Sequence, residues 1–148
     1  MKYYQKVTIK KTDFKKGISA FNNINFVKFL TFLQPVKIIS WDGIENNKIA
    51  HFKLWFLYWH DFKVKHKNYK ISKNKLSFTD QGIELPLGIK SWNHNHTLEK
   101  DGNNFFIEDA LDITHKNIFL GYILLPILII PILIRKILYK IYFYKIKK

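Results

Sequence analysis

Two histidines spaced two apart behind a tryptophan, Trp92-x-His94-x-His96, are the residues best equipped for chemistry in this chain, together with an aspartate, Asp109, inside a later apolar run. On a strand, Trp92, His94 and His96 point to one face. Two imidazoles and a carboxylate can form an acid–base pair, chelate zinc, orient a ligand or satisfy one another in a core. A third metal ligand at a defined spacing is not evident, and no serine or cysteine nucleophile accompanies the pair. Cysteine is missing altogether, which excludes disulfides, thiolate zinc sites and cysteine nucleophiles.

The segment Lys100-Asp101-Gly102-Asn103 carries an Asp-Gly signal for a two-residue hairpin turn. With Asp101 and Gly102 in the turn, His94 lies across from Asp109, Trp92 from Leu111, His96 from Ile107 and Leu98 from Phe105. These side chains share one face; the other, with Ser91, Asn93, Asn95, Thr97, Phe106, Glu108, Ala110 and Asp112, is far more polar. Directly opposed residues have β-carbons about 5 Å apart, so this register makes His94 and Asp109 neighbours. A buried carboxylate is costly unless paired, and an imidazole is a natural partner. Three readings stay open: a satisfied pair in a core, a ligand cavity with His94, His96, Asp109 and Asp80 as polar handles, and a metal or acid–base site.

The elements that must position these groups are legible along the chain. Residues 3–9 alternate, with Tyr3, Val7 and Ile9 on one face, and predict a strand. Thr12 and Asp13 can cap a helix from Phe14, and Asn22-Asn23 splits the helical spacing that follows into two short pieces ending before Pro35. Strands follow at 36–41, 49–58, 60–67, 75–80, 89–98 and 105–113, with a break expected at Gln81-Gly82 and Pro86. Sequential strands with tight turns predict an antiparallel sheet, wet on one face and covered on the other.

The only long candidate for a cover is the C-terminal segment. Residues 118–134 carry no charge, close to the lower length limit for a membrane-spanning helix. The alternative is a loop to Pro126 or Pro131 and then an amphipathic helix to about residue 146. Its stripe of Ile130, Ile134, Ile137, Leu138, Ile141 and Tyr144 would lie on the sheet, with Arg135, Lys136, Lys140 and Lys147 mostly elsewhere. The second arrangement is the one expected.

The 148 residues fit one domain, 1–148, and the net charge is +14. Arg135 is the only arginine among the basic residues, which argues against nucleic acid, where arginine leads in phosphate and base recognition. Lysine suits diffuse attraction to acidic lipid headgroups. No apolar run follows Lys2, so no secretory signal is expected, and a cytoplasmic location, with membrane association as the alternative, is the expectation.

The order strand, two short helices, six strands, long C-terminal helix is the helix-grip arrangement. Phe78-x-Asp80-x-Gly82, Pro86, Trp92-x-His94-x-His96, Asp109 and the late Arg135 resemble a pattern of the START-like, or SRPBCC, superfamily of ligand-binding and polyketide-cyclase-like proteins. The resemblance implies an α+β fold in which a curved seven-stranded antiparallel sheet wraps the last helix around a hydrophobic cavity. Members bind lipids, quinones, polyketides or other apolar molecules, and some are enzymes. The expectation is therefore a non-catalytic binder or carrier of a hydrophobic small molecule or lipid, with no cofactor or metal. Phe52, Phe56, Phe62, Phe78 and Trp92 would wall the cavity, and Asp80, His94, His96 and Asp109 would orient the ligand. The alternatives are a cyclase or dehydrase with His94 as general base oriented by Asp109, and a membrane-associated protein anchored by 118–134.

Overall fold

The computed structural model describes residues 1–146; Lys147 lies outside the described residues. The elements are β1 (Lys2–Ile9), α1 (Phe14–Phe21), α2 (Ile24–Thr31), β2 (Val36–Trp41), β3 (Ile49–Phe56), β4 (Tyr58–Ile71), β5 (Lys75–Glu84), β6 (Ile89–Asp101), β7 (Asn104–His115) and α3 (Ile118–Lys145). The strands form one antiparallel sheet in the order β1-β7-β6-β5-β4-β3-β2, and α3 packs across it. Bulges, as at Lys63/Val64 and Ile89/Ser91, bend the strands.

Local chemistry sets the helix starts. The Asp13 side chain accepts from the Lys15 amide, and Asn23 accepts from the Asn25 amide. Asn117 accepts from the Phe119 and Leu120 amides and opens α3. The helix therefore begins at Ile118, not after a loop to Pro126 or Pro131; both prolines lie within it. The carbonyls a proline leaves without a donor, those of Tyr122 and Ile127, belong to exposed residues, so the missing bonds do not fall in the core.

Four further expectations change. β5 runs through Gln81-Gly82 to Glu84. Gly82 pairs with Val64 there, and a β-carbon on it would meet the Leu85 side chain at 2.5 Å, so the glycine admits Leu85 and does not stop the strand. β3 and β4 are joined by Leu57 alone, in a left-handed backbone conformation. The β6–β7 hairpin turns at Gly102-Asn103, with positive φ at Gly102. Its register is consequently shifted by two: His94 faces Leu111, and His96 faces Asp109. A shift of two keeps every side chain on its face, which is why face polarity could not reveal it.

The last change is the rotation of α3. Its inward residues are Gly121, Leu128, Ile132, Leu138, Tyr139 and Phe143, while Ile130, Ile137, Ile141 and Tyr144 face outward. Both faces are apolar, so hydropathy could not fix the phase; Arg135, which faces the carboxylates of the sheet, does.

The interior divides into two apolar clusters. One gathers Phe14, Phe21, Phe26, Phe78, Leu98, Phe105, Ile107, Tyr139 and Phe143. The other gathers Ala50, Phe62, Val64, Trp92, Leu111, Ile113, Leu128 and Ile132. The second cluster needs α3 close to β7, and Gly121 permits it: a β-carbon there would meet His115 Cβ at 2.8 Å. Gly121→Val should therefore overpack this contact, cost about 1–3 kcal/mol and lower the melting temperature by several degrees in a thermal-unfolding scan.

Candidate functional site

A belt of polar residues from five elements separates the two clusters. Gln5 precedes Val7 on β1, Asp80 follows Phe78 on β5, and His94 and His96 lie between Trp92 and Leu98 on β6. Asp109 lies between Ile107 and Leu111 on β7, and Arg135 between Ile132 and Leu138 on α3.

Asp109 has no exposed surface and is the hub. Gln5 Nε2 donates to its Oδ2 at 2.8 Å and also to the Ile132 carbonyl at 2.8 Å. The Tyr139 hydroxyl donates to both oxygens at 3.2 and 3.3 Å, and His94 Nε2 lies 3.1 Å from Oδ1. His96 Nδ1 is also 3.1 Å from Oδ1, although its angle is not that of a hydrogen bond. The other ring nitrogen of His96, Nε2, bonds Asp80 Oδ2 at 3.0 Å. His66 Nε2 lies 3.0 Å from Asp80 Oδ1, and its Nδ1 contacts the Lys48 carbonyl. Phe78 stacks on His96 with ring centroids 4.6 Å apart, and the two imidazoles of β6 are 3.9 Å apart.

The charges divide accordingly. Burial alone would raise both carboxyls, but His94 and His96 hold Asp109, and His96 and His66 hold Asp80, well below the usual carboxylate range. Burial lowers His94 to about 4, reinforced by the neighbouring cation at His96. Burial also opposes charge on His96, but Asp80 and Asp109 on either side outweigh it and raise it to about 9. Burial and Asp109 push the Tyr139 phenol well up. At neutral pH two carboxylates are thus balanced by the His96 imidazolium and the Arg135 guanidinium, with His94 neutral.

A cavity of about 60 Å³ adjoins the belt between the sheet, α2 and α3. Its polar wall is His66, Asp80, His96, Arg135 and Tyr139; its apolar wall includes Phe21, Phe26, Leu30, Trp41, Ile44, Ala50, Phe52 and Phe78. Of the residues picked out by sequence, Phe52, Phe78, Asp80 and His96 line this space. His94 and Asp109 sit one layer behind it. Phe62 and Trp92 do not line it: they pack edge-on against each other, centroids 5.1 Å apart, in the second cluster. Phe56 does not either, ending β3 opposite Tyr58.

Sequence reasoning missed Gln5, His66, Arg135 and Tyr139 as members of the site. Strand parity could have found the first two, since Gln5 shares a face with Val7 and His66 with Val64. Tyr139 follows Arg135 by one helical turn. Donor atoms of Asp80, His94 and His96 lie within 4.8 Å of one another, a spacing that can hold a metal ion. In this belt, however, a dication would have to displace a proton and sit beside a guanidinium.

The pH dependence follows from these shifts. His96, raised to about 9, stabilises the fold below the ordinary histidine value, and that stability is lost as pH rises from about 6.5 through 9. His94, lowered to about 4, and the two depressed aspartates act oppositely. Their stability is present at neutral pH; it is lost first through His94 between about 6.5 and 4 and then through the carboxylates below that. Denaturant unfolding across pH should give a maximum near 6.5 with losses on both sides, and the His96 ring should titrate near 9 by NMR. Asp109→Asn should cost on the order of 3–5 kcal/mol in the same assay, because it leaves the His96 cation without one of its counter-ions.

No family model matches the chain, and no curated protein does. Solved structures do. Norcoclaurine synthase from Thalictrum flavum superposes with a TM-score of 0.61 at 15% identity, over 95% of this chain and 84% of that one. A hypothetical protein from Helicobacter pylori gives 0.60 at 12% identity, over 82% and 79%. Major latex-like protein 151 from Panax ginseng gives 0.53 at 13% identity, over 79% and 80%. With its seven-stranded sheet, two short helices after β1 and long α3, the chain has the helix-grip fold that these structures share.

Proposed function

We propose that the chain binds a small, largely apolar molecule carrying one polar group, in the space between the sheet, α2 and α3, without transforming it. One observation carries this reading: a buried, charge-balanced belt forms one wall of a cavity whose other walls are aromatic and aliphatic. Among the buried atoms without a hydrogen-bond partner, Asp80 Oδ1 still lies 3.0 Å from His66 Nε2 and His96 Nδ1 lies 3.1 Å from Asp109 Oδ1, which leaves Nε of the cavity-lining Arg135 as the one open to a ligand. An unsatisfied buried donor costs about 1–3 kcal/mol, so a ligand with a hydroxyl, carbonyl or amide oxygen gains by meeting it. The apolar walls would hold its remainder.

Size limits the ligand. Drug-sized pockets span about 300–1,000 Å³, and about 60 Å³ admits only a few non-hydrogen atoms. A lipid or quinone would enter only if α2, a helix of two turns, moved away from the sheet. A ligand of a few non-hydrogen atoms fits the space as it stands, and a single ring needs it to widen. Among similar structures, the Thalictrum norcoclaurine synthase was solved with dopamine and hydroxybenzaldehyde, each built on a single ring.

The acid–base alternative is weaker on geometry. His94 bonds Asp109 through Nε2, lies behind the cavity wall and has a basicity lowered to about 4, far from what a general base needs at neutral pH. Native mass spectrometry of gently purified protein should show a co-purifying small molecule, or uptake of simple phenols and aldehydes. Ala50→Leu places three more carbons in the cavity and should abolish that binding while the protein stays folded. Arg135→Met should weaken binding at least tenfold. A folded protein that takes up neither ring compounds, fatty acids nor quinones would overturn the reading.

A further inference from the structure

The outer face of α3 serves neither the core nor the cavity. Phe119, Ile123, Ile130, Leu133, Ile137 and Ile141 recur at helical spacing and are all exposed, Phe119 by 79% and Ile123 by 69%. Exposed apolar residues scattered singly are ordinary; an uncharged row along a 28-residue helix is an interaction surface. The end of α2 adds Phe32 and Leu33, also exposed, and Gln34 ties that end to α3 by donating to the Pro131 carbonyl at 3.2 Å.

A second observation identifies the occupant. At its C-terminal end the row meets a groove of about 550 Å³ between β1 and α3, lined by Lys6, Lys10, Lys136, Lys140, Phe143 and Tyr144. Lys6 is paired with Glu108 at 3.4 Å, and no Asp or Glu among the described residues lines the groove itself. An apolar row bordered by lysines, on a chain of net charge +14, complements a surface that is apolar within and anionic at its rim. A second copy of the chain is a poorer occupant, because it would bring two such charges together.

We propose that α3 docks along the surface of an anionic phospholipid bilayer, its outer row in the acyl boundary and Lys136 and Lys140 against lipid phosphates. The helix lies in the interface and does not cross it. Its other face, with Leu128, Ile132, Tyr139 and Phe143, is held in the core, and spanning would strip that core from the sheet. This inference does not depend on what the cavity binds.

Vesicle flotation with the full chain tests it. Wild-type protein should float with phosphatidylcholine vesicles containing about one third phosphatidylserine, at least tenfold more than with phosphatidylcholine alone, and less as salt rises. Lys136→Ala with Lys140→Ala should weaken binding about thirtyfold, roughly fivefold per lysine. Ile123→Ser with Ile130→Ser should abolish it without lowering the melting temperature, since both side chains are exposed. An alkaline carbonate wash should release the bound protein. Three results would each overturn the proposal: no binding to acidic vesicles, retention through the wash, or light scattering that shows a dimer which the serine variants dissolve.

Discussion

An aspartate with no solvent contact in the middle of a sheet is the constraint on which this molecule is built. Isolated, such a charge would cost several kcal/mol, so donors must reach it from several directions at once. Asp109 receives them from β1 through Gln5, from β6 through His94 and from α3 through Tyr139, with the His96 ring 3.1 Å away as a counter-charge. No two of these elements can slide past each other without leaving the carboxylate short of a partner. The belt therefore does what apolar packing cannot: it fixes the register of β6 on β7 and the rotation of α3.

That division explains which parts of the architecture were legible in sequence. Alternation along strands, the Asp13 cap, the split at Asn22-Asn23 and the order of elements gave the helix-grip arrangement, because each depends on local pattern. The neighbourhood of His94 and Asp109 was also legible, since strand parity confines both to the dry face. Pairing was not. Moving the turn from Asp101-Gly102 to Gly102-Asn103 shifts the ladder by two residues and leaves every apolar residue facing inward. The cue that decides it is that Asp109, opposite His96, comes within 3.1 Å of both imidazoles. The same blindness applied to α3. Its outward Ile130, Ile137 and Ile141 are as apolar as its inward Leu128 and Ile132, and only the demand of Asp80 and Asp109 for a cation turns Arg135 toward the sheet. The expected cavity wall failed for a related reason. Trp92 and Phe62 do face inward, but they meet each other and α3 and leave no space.

The belt also explains why a polar layer survives in a core that apolar residues could have filled. A buried ion cluster seldom adds net stability over a hydrophobic equivalent. Here His96 bridges two aspartates and stacks on Phe78, so removing any one member strands the others. The layer costs stability in general and gains a single arrangement. It also holds Arg135, whose Nε has no hydrogen-bond partner among the described residues, in the wall of the cavity.

α3 joins the two halves of this picture, because one helix carries opposite duties on its two faces. The inner face delivers Arg135 and Tyr139 to the belt, and Gln5 and Gln34 brace its middle by donating to the Ile132 and Pro131 carbonyls. The outer face presents an apolar row. A helix apolar all round normally lies in the centre of a large protein or in a membrane; this one covers the open side of a sheet and has no further layer above it among the described residues. Its composition is then explained only if something apolar meets the outer face while the inner face stays on the sheet. The same helix thus carries the exposed apolar row and the Arg135 and Tyr139 side chains of the cavity wall.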